Sequence, residues 1–171
     1  LSIPERTWSD VDLTPVFGDL SMPSHMVAID GSSFYACHES QLIKIAVDAE
    51  AKASAVWRLS MPFACTGLAL LPSGSALVGL DAYAAEVDAT SGLDTKIYGP
   101  AAQAVERVYA AGSRVILSHG GGSYIYSEGV DEPQIIPRGI DYGTLSPDGR
   151  WFIYSDTDNE RLVINDLGDG S

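Results

Sequence analysis

The sequence predicts an all-β fold assembled from repeated antiparallel meanders, and three observations predict it. A unit of roughly forty residues recurs four times, each copy setting a small-residue turn between two apolar runs. The turn glycines Gly31, Gly74, Gly112 and Gly149 stand 43, 38 and 37 residues apart. No stretch carries a convincing helical period, and Gly, Ser, Asp and Pro clusters punctuate the chain at hairpin spacing. That combination is the signature of a β-propeller made of four-stranded antiparallel blades, with about four blades present.

The last unit shows the grammar most clearly: Leu145-Ser146-Pro147-Asp148-Gly149-Arg150 turns the chain between two apolar strands. Strands are expected at 26–30, 33–37, 42–47 and 55–59 in the first unit, and at 67–72, 75–80, 83–88 and 94–98 in the second. The third unit reads 105–110, 113–118, 123–127 and 133–137, with Gly120-Gly121-Gly122 as a hairpin turn. The fourth offers only 142–146, 150–155 and 161–166. Residues 101–108 contain helix formers but sit where a blade-to-blade connection belongs, so they read as loop or strand with at most one helical turn.

The domain reading follows: residues 1–25 are an N-terminal segment, and 26–171 are propeller units at about 26–61, 62–99, 100–137 and 138–171. Because the fourth unit lacks an outer strand, Thr7 to Phe17 are the residues available to complete it. Two architectures are consistent with this. One is a compact four-bladed ring closed by the N-terminal segment; the other, favoured here, is part of a six- to eight-bladed ring. The chain begins at Leu1 rather than Met, which reads as a processed product or a piece of something longer.

Composition bounds the function. With 23 acidic and 10 basic residues the net charge is −13, which opposes a nucleic-acid-binding face, since phosphate affinity rests on Lys and Arg. No apolar run approaches the roughly 20 residues needed to span a bilayer. The chain therefore reads as soluble, with cytoplasmic and secreted or periplasmic settings both open. Cys37 and Cys65 have 27 residues between them; a disulfide is sterically conceivable, but spacing does not establish it, and two buried thiols are the preferred reading.

In a propeller meander the turn between second and third strands shares a face with the connection between blades. That places Cys37-His38-Glu39, Asp81, His119 and Asp156-Thr157-Asp158 on one face. Imidazole and carboxylate groups ligate divalent metals, so Asp81 and Asp156 are candidate calcium or zinc ligands, and His38 and His119 candidate ligand-binding groups. Asp and His are equally ordinary turn residues. The connections leading into the inner strands, Ser24-His25, Cys65-Thr66, Gln103-Ala104 and Asp141-Tyr142, line the expected channel mouth, which makes His25, Thr66 and Asp141 the binding candidates there. Asp156 to Glu160 begin like a calcium loop, but Arg161 replaces the required Gly and Leu167 the required Glu. Gly120-Gly121-Gly122-Ser123 lacks the Lys of a phosphate-binding loop, and no Gly-x-Ser-x-Gly elbow exists. The tryptophans and tyrosines fall mostly inside strands, where packing between blades accounts for them.

Residues 145–157, followed by Asn159-Glu160-Arg161-Leu162-Val163-Ile164, resemble blades of the broad YVTN and WD-like propeller superfamily. They are similar in particular to blades of the gluconolactonase and senescence-marker family and of prolyl oligopeptidase propellers. The resemblance covers 62–168 better than 26–61. A gluconolactonase-type blade implies that Asp141, just before the inner strand, is a divalent-metal ligand at the channel mouth; Thr66 and Ala104 hold that place in the second and third units.

The functional expectation is a non-catalytic propeller module, acting as scaffold or binding a protein, peptide or small ligand on one face, its partner being another protein or the remainder of the ring. The alternative is part of a propeller enzyme, either a metal-dependent lactonase-like hydrolase or the propeller of a larger hydrolase or dehydrogenase.

Overall fold

The computed structural model describes residues 10–18, 22–101, 103–137, 140, 142–156 and 159–168. Strands β1 (His25–Ala28), β2 (Ser33–His38), β3 (Gln41–Val47) and β4 (Ala53–Ser60) form one antiparallel meander. A second contains β5 (Gly67–Leu70), β6 (Ala76–Leu80), β7 (Tyr83–Val87) and β8 (Asp94–Tyr98). The third contains β9 (Arg107–Ala111), β10 (Arg114–His119), β11 (Gly122–Ser127) and β12 (Gln134–Ile136). The fourth has three strands, β13 (Gly143–Leu145), β14 (Trp151–Asp156) and β15 (Arg161–Asp166). The inner strands β1, β5, β9 and β13 adjoin in chain order. These are four β-propeller blades, and their sheets do not close into a ring.

Alternation along each strand sends successive side chains to opposite faces, so a blade buries both faces only between two neighbours. Tyr35, Cys37 and Leu42 of the first blade meet Ala76, Val78 and Val87 of the second. Leu77 and Ala84, on the second blade's other face, meet Val108, Val115 and Leu117 of the third. Ile116, Ile125 and Ile136 then meet Phe152 and Tyr154 of the fourth. Fully burying such a side chain is worth about 1.5–3 kcal/mol. Polar links run between blades as well: the Tyr35 hydroxyl donates to the Gly74 carbonyl at 2.8 Å, and Lys44 and Trp57 both donate to the Ala89 carbonyl.

Two expectations are corrected. Cys37 and Cys65 are not free thiols; they form a disulfide across a Cα–Cα distance of 6.1 Å. The connection after β4 makes this possible, because the Cys65 N–H donates to the Glu39 carbonyl and lays Cys65 beside the end of β2. Secondly, Thr14–Phe17, within the segment read as one of two ways to complete the fourth unit, forms the helical turn α1. Pro15 lacks an N–H for a strand ladder and suits the first turn of a helix. Val16 and Phe17 of α1 cover Ala36, Ile43 and Ile45 of the first blade, and Arg58 donates to the Val16 carbonyl. Thr7 to Ser9 of that segment lie outside the described residues.

Much of the acidity is used by turns. Asp30, Asp48, Asp88 and Asp148 accept backbone N–H groups two to four residues ahead. Backbone and serine donors hold the Asp30 and Asp88 carboxyls below the usual carboxylate range.

Replacing both cysteines by serine removes a cross-link over 28 residues of chain, and denaturant titration is expected to show a loss of about 3 kcal/mol, matched by reduction of the parent protein. Gly112 holds φ +54°, and a Cβ there would overlap the Asp148 carbonyl where the third and fourth blades touch. Gly112→Ala is therefore expected to cost more than about 1 kcal/mol in the same titration.

Candidate functional site

One backbone arrangement builds the connection-bearing end of the first three blades. The N–H groups of Ser24, Thr66 and Glu106 donate to the carbonyls of Cys37, Gly79 and Ser118, the penultimate residues of β2, β6 and β10. Each of these three polar residues immediately precedes an inner strand, so the three stand at equivalent points of successive blades, at the end of the inner strands called the mouth below. The next residues are His25, Gly67 and Arg107. Asp141, which precedes the fourth inner strand in sequence, lies outside the described residues.

Glu106 and Arg107 were missed by the sequence reading, which placed Gln103-Ala104 at this point. The third blade joins its first two strands by only Gly112 and Ser113, with Ala111 paired to Arg114. Counting back from that tight turn, rather than from a five-residue turn as in the second blade, leads to Arg107 as the strand start. Register, not composition, carried the signal.

The mouth is polar on all described sides. Ser24 donates its hydroxyl to the Cys37 carbonyl, and Arg107 donates to the carbonyl of Glu106 at 2.8 Å. Thr66 Oγ1 is buried with no hydrogen-bond partner among the described residues, pressed toward Gly79, where an added Cβ would sit only 2.9 Å from it. His25 is half-buried, and burial first, then the Arg107 charge, holds its imidazole below the ordinary pKa of 6.5.

The second-to-third strand turns lie on this same end, and the side chains of His38, His119 and Asp156 are occupied locally. The His38 ring is buried against Phe17 at a centroid distance of 5.5 Å. His119 is buried too; its Nδ1 accepts the Gly121 N–H and its ring tilts against Tyr124. That acceptor role places the imidazole proton on Nε2. Asp156 is buried and pairs with Arg161 at 3.0 Å while accepting both bonds from Asn159. Asp81 is exposed, and its carbonyl receives the Val105 N–H from the connection to the third blade. Among the described residues, no three His, Cys, Asp or Glu side chains gather closely enough to hold a metal. Among the described residues no helix is long and apolar enough to cross a membrane.

Between the turns and the mouth, the three blades solve one steric problem in three ways. Cys65 is bonded to Cys37 in the first blade. At the equivalent point of the third, Ser118 Oγ accepts the Ile140 N–H and donates to its carbonyl. In the second, Val105 is buried and Gly79 leaves room for Thr66.

Because the folded state holds His25 neutral, it binds fewer protons there than the unfolded chain does as pH falls below 6.5. Stability is expected to decline as pH drops through that value toward the lower folded pKa, with His25→Gln flattening the decline in pH-dependent thermal melts. Asp30 and Asp148 act in a separate window, below the ordinary aspartate pKa of 3.8.

The sequence matches no protein-family profile and no curated protein. Solved structures do resemble it. A chain in the structure described as "Crystal Structure of Mitotic Checkpoint Complex" aligns over 82% of this chain and 49% of its own, with TM-score 0.66 and 18% identity. A chain of hydrazine synthase from Kuenenia stuttgartiensis aligns over 95% of this chain and 51% of its own, with TM-score 0.68 and 17% identity. Both are propeller-type folds. This chain thus spans about half the length of each.

Proposed function

We propose that this chain is a non-catalytic β-propeller binding module that engages a protein, peptide or small ligand at the connection-bearing mouth. The observation that carries the reading is the mouth itself. Ser24, Thr66 and Glu106 recur at one backbone position in three successive blades, with His25 and Arg107 beside them. A repeated backbone frame presenting a different polar group from each blade is suited to reading a shaped, polar partner. Arg107 offers the donors that a carboxylate or backbone carbonyl would take, and Glu106 accepts.

Support for a protein partner comes from one of the matched structures, which is a chain within a protein complex. A neutral His25 under an Arg107 field favours hydrogen bonding over ion pairing at that side of the mouth. The enzymatic alternative assigns Asp141 a calcium or zinc ion and hydrolysis of a lactone or ester.

The test is affinity capture followed by titration of the captured partner. Arg107→Ala is expected to weaken binding about tenfold or more, since it removes a charge-assisted bond worth about 1.5–3 kcal/mol. Asp148→Asn, in an exposed turn between the first two strands of the fourth blade, is expected to leave binding unchanged. Turnover of a lactone or ester by the purified chain, with stoichiometric calcium or zinc that Asp141→Ala abolishes, would sink this reading in favour of the enzyme.

A further inference from the structure

The boundary between the second and third blades is built differently from that between the first and second. At the first boundary Lys44 and Trp57 reach across from β3 and β4: Lys44 Nζ and Trp57 Nε1 donate to the Ala89 carbonyl at 2.9 and 3.2 Å, and the indole lies against Gly92. Register gives the equivalent residues one blade on. Tyr35 pairs with Lys44 and Lys44 with Trp57, just as Leu77 pairs with Glu86 and Glu86 with Lys96. A carboxylate thus stands where the first boundary has an ammonium, and Lys96 stands in the place of the indole. The position of Ala89, six residues after the start of its blade's third strand, is held in the third blade by Glu128. Between these residues lies a cavity of about 300 Å³, which reaches from the first turns of both blades, at the end away from the mouth, to the outer strand β8. Such a volume suits a small ligand or one side chain of a partner.

Phenol rings and carboxylates form its walls. Tyr98, 7% exposed, meets Tyr126 edge-on across the blade boundary at a centroid distance of 5.4 Å. Burial first, then the Glu86 charge, the bond that the hydroxyl donates to Glu86, and the Glu128 charge push the Tyr98 phenol up to about 12. Two carboxylates, one from each blade, therefore bear on the same point. Lys96 offsets one of them, its ammonium lying 4.7 Å from the centre of the Tyr98 ring. Arg114 also borders the cleft, but its guanidinium donates to Ser127 Oγ and, on the fourth-blade side, to the carbonyls of Leu167 and Gly168, where its charge also bears on Asp166. An excess of negative charge set between aromatic rings is the environment that an organic cation takes. Two carboxylates are too few to replace the water shell of a metal ion, and among the described residues no third metal-ligating group joins them.

We propose that this cleft binds the ammonium end of an alkylamine, presented by a lysine side chain of a partner or by a free amine, with Glu86 and Glu128 as acceptors and Tyr98 and Tyr126 beside its stem. The chain contains its own precedent, because the equivalent space at the first boundary receives the Lys44 ammonium from within. The site is separate from the mouth and goes beyond the binding role proposed there.

Isothermal titration calorimetry of the whole chain at low ionic strength, where charge attraction is least screened, tests this. The probes are butylammonium and N-acetyl-lysine methylamide, with the Nε-acetylated form of the latter as an uncharged control. Both charged probes are expected to bind, and the control is not. Glu128→Gln, at an exposed position, is expected to weaken binding about tenfold or more, the loss of a charge-assisted bond. Glu86→Gln keeps an acceptor for the Tyr98 hydroxyl and is expected to act alike. Lys96→Met is expected to tighten binding, since it removes a competing cation and keeps the apolar stem, an effect that lost packing would not produce. Tighter binding of the lysine derivative than of butylammonium supports a partner's lysine as the source, and equal binding supports a free amine. Failure of both charged probes to bind overturns the proposal. So does a control that binds as well as they do, or a Glu128→Gln chain of unchanged circular dichroism that binds like wild type. Arg107→Ala is expected to leave amine binding unaltered, which keeps this result distinct from that for the mouth.

Discussion

A small twisted sheet with two apolar faces cannot bury both by itself, and the whole molecule follows from that constraint. Each blade here is only three or four short strands wide. It becomes stable when one face receives the preceding blade and the other is received by the next. Tyr35 against the second blade, Leu77 against the third and Ile116 against the fourth are three instances of one contact. The order of blades, the placement of inner strands round an axis and the gathering of connections at one end are consequences of repeating it.

Stacking alone leaves the connections loose, and the chain secures each by local chemistry suited to the residues present. A disulfide fixes the first, a serine hydroxyl bonded to both backbone groups of Ile140 fixes the third, and close packing at Gly79 accommodates the second. The covalent version stands where the connection ends in Cys65, directly ahead of Thr66. The polar frame at the mouth is therefore anchored from behind in each of these blades, which favours pre-organised groups for recognition. The turns at the opposite end are tied by aspartates, and the lowered pKa values of Asp30 and Asp148 keep those two charged as acceptors. A negative net charge is in part the by-product of turn chemistry.

The repeat was legible because glycine and Pro-Asp-Gly turns recur between apolar runs, and the observed strands lie within a few residues of those read from that pattern. Spacing puts His38, His119 and Asp156 in turns, where they read as groups facing solvent, yet in the fold they are buried and locally bonded. Whether a turn residue points to solvent or into a neighbouring ring depends on the adjacent chain, such as Phe17 over His38, and spacing holds no information on that. The disulfide was opaque for a similar reason: 27 intervening residues permit a bridge, but only the crossover's hydrogen bond to Glu39 brings the sulfurs together. The helical turn at Thr14–Phe17 is too short for periodicity to reveal; its signal was Pro15.

By itself, then, the sequence determined the all-β class, the blade repeat and the hairpin turns, because period-two patterning and turn chemistry are local properties of the chain. Only the tertiary structure decided which polar residues meet at the mouth and which cysteines pair. Those depend on strand register and on which sheet lies against which, and a shift of register by one residue exchanges the two faces of a strand.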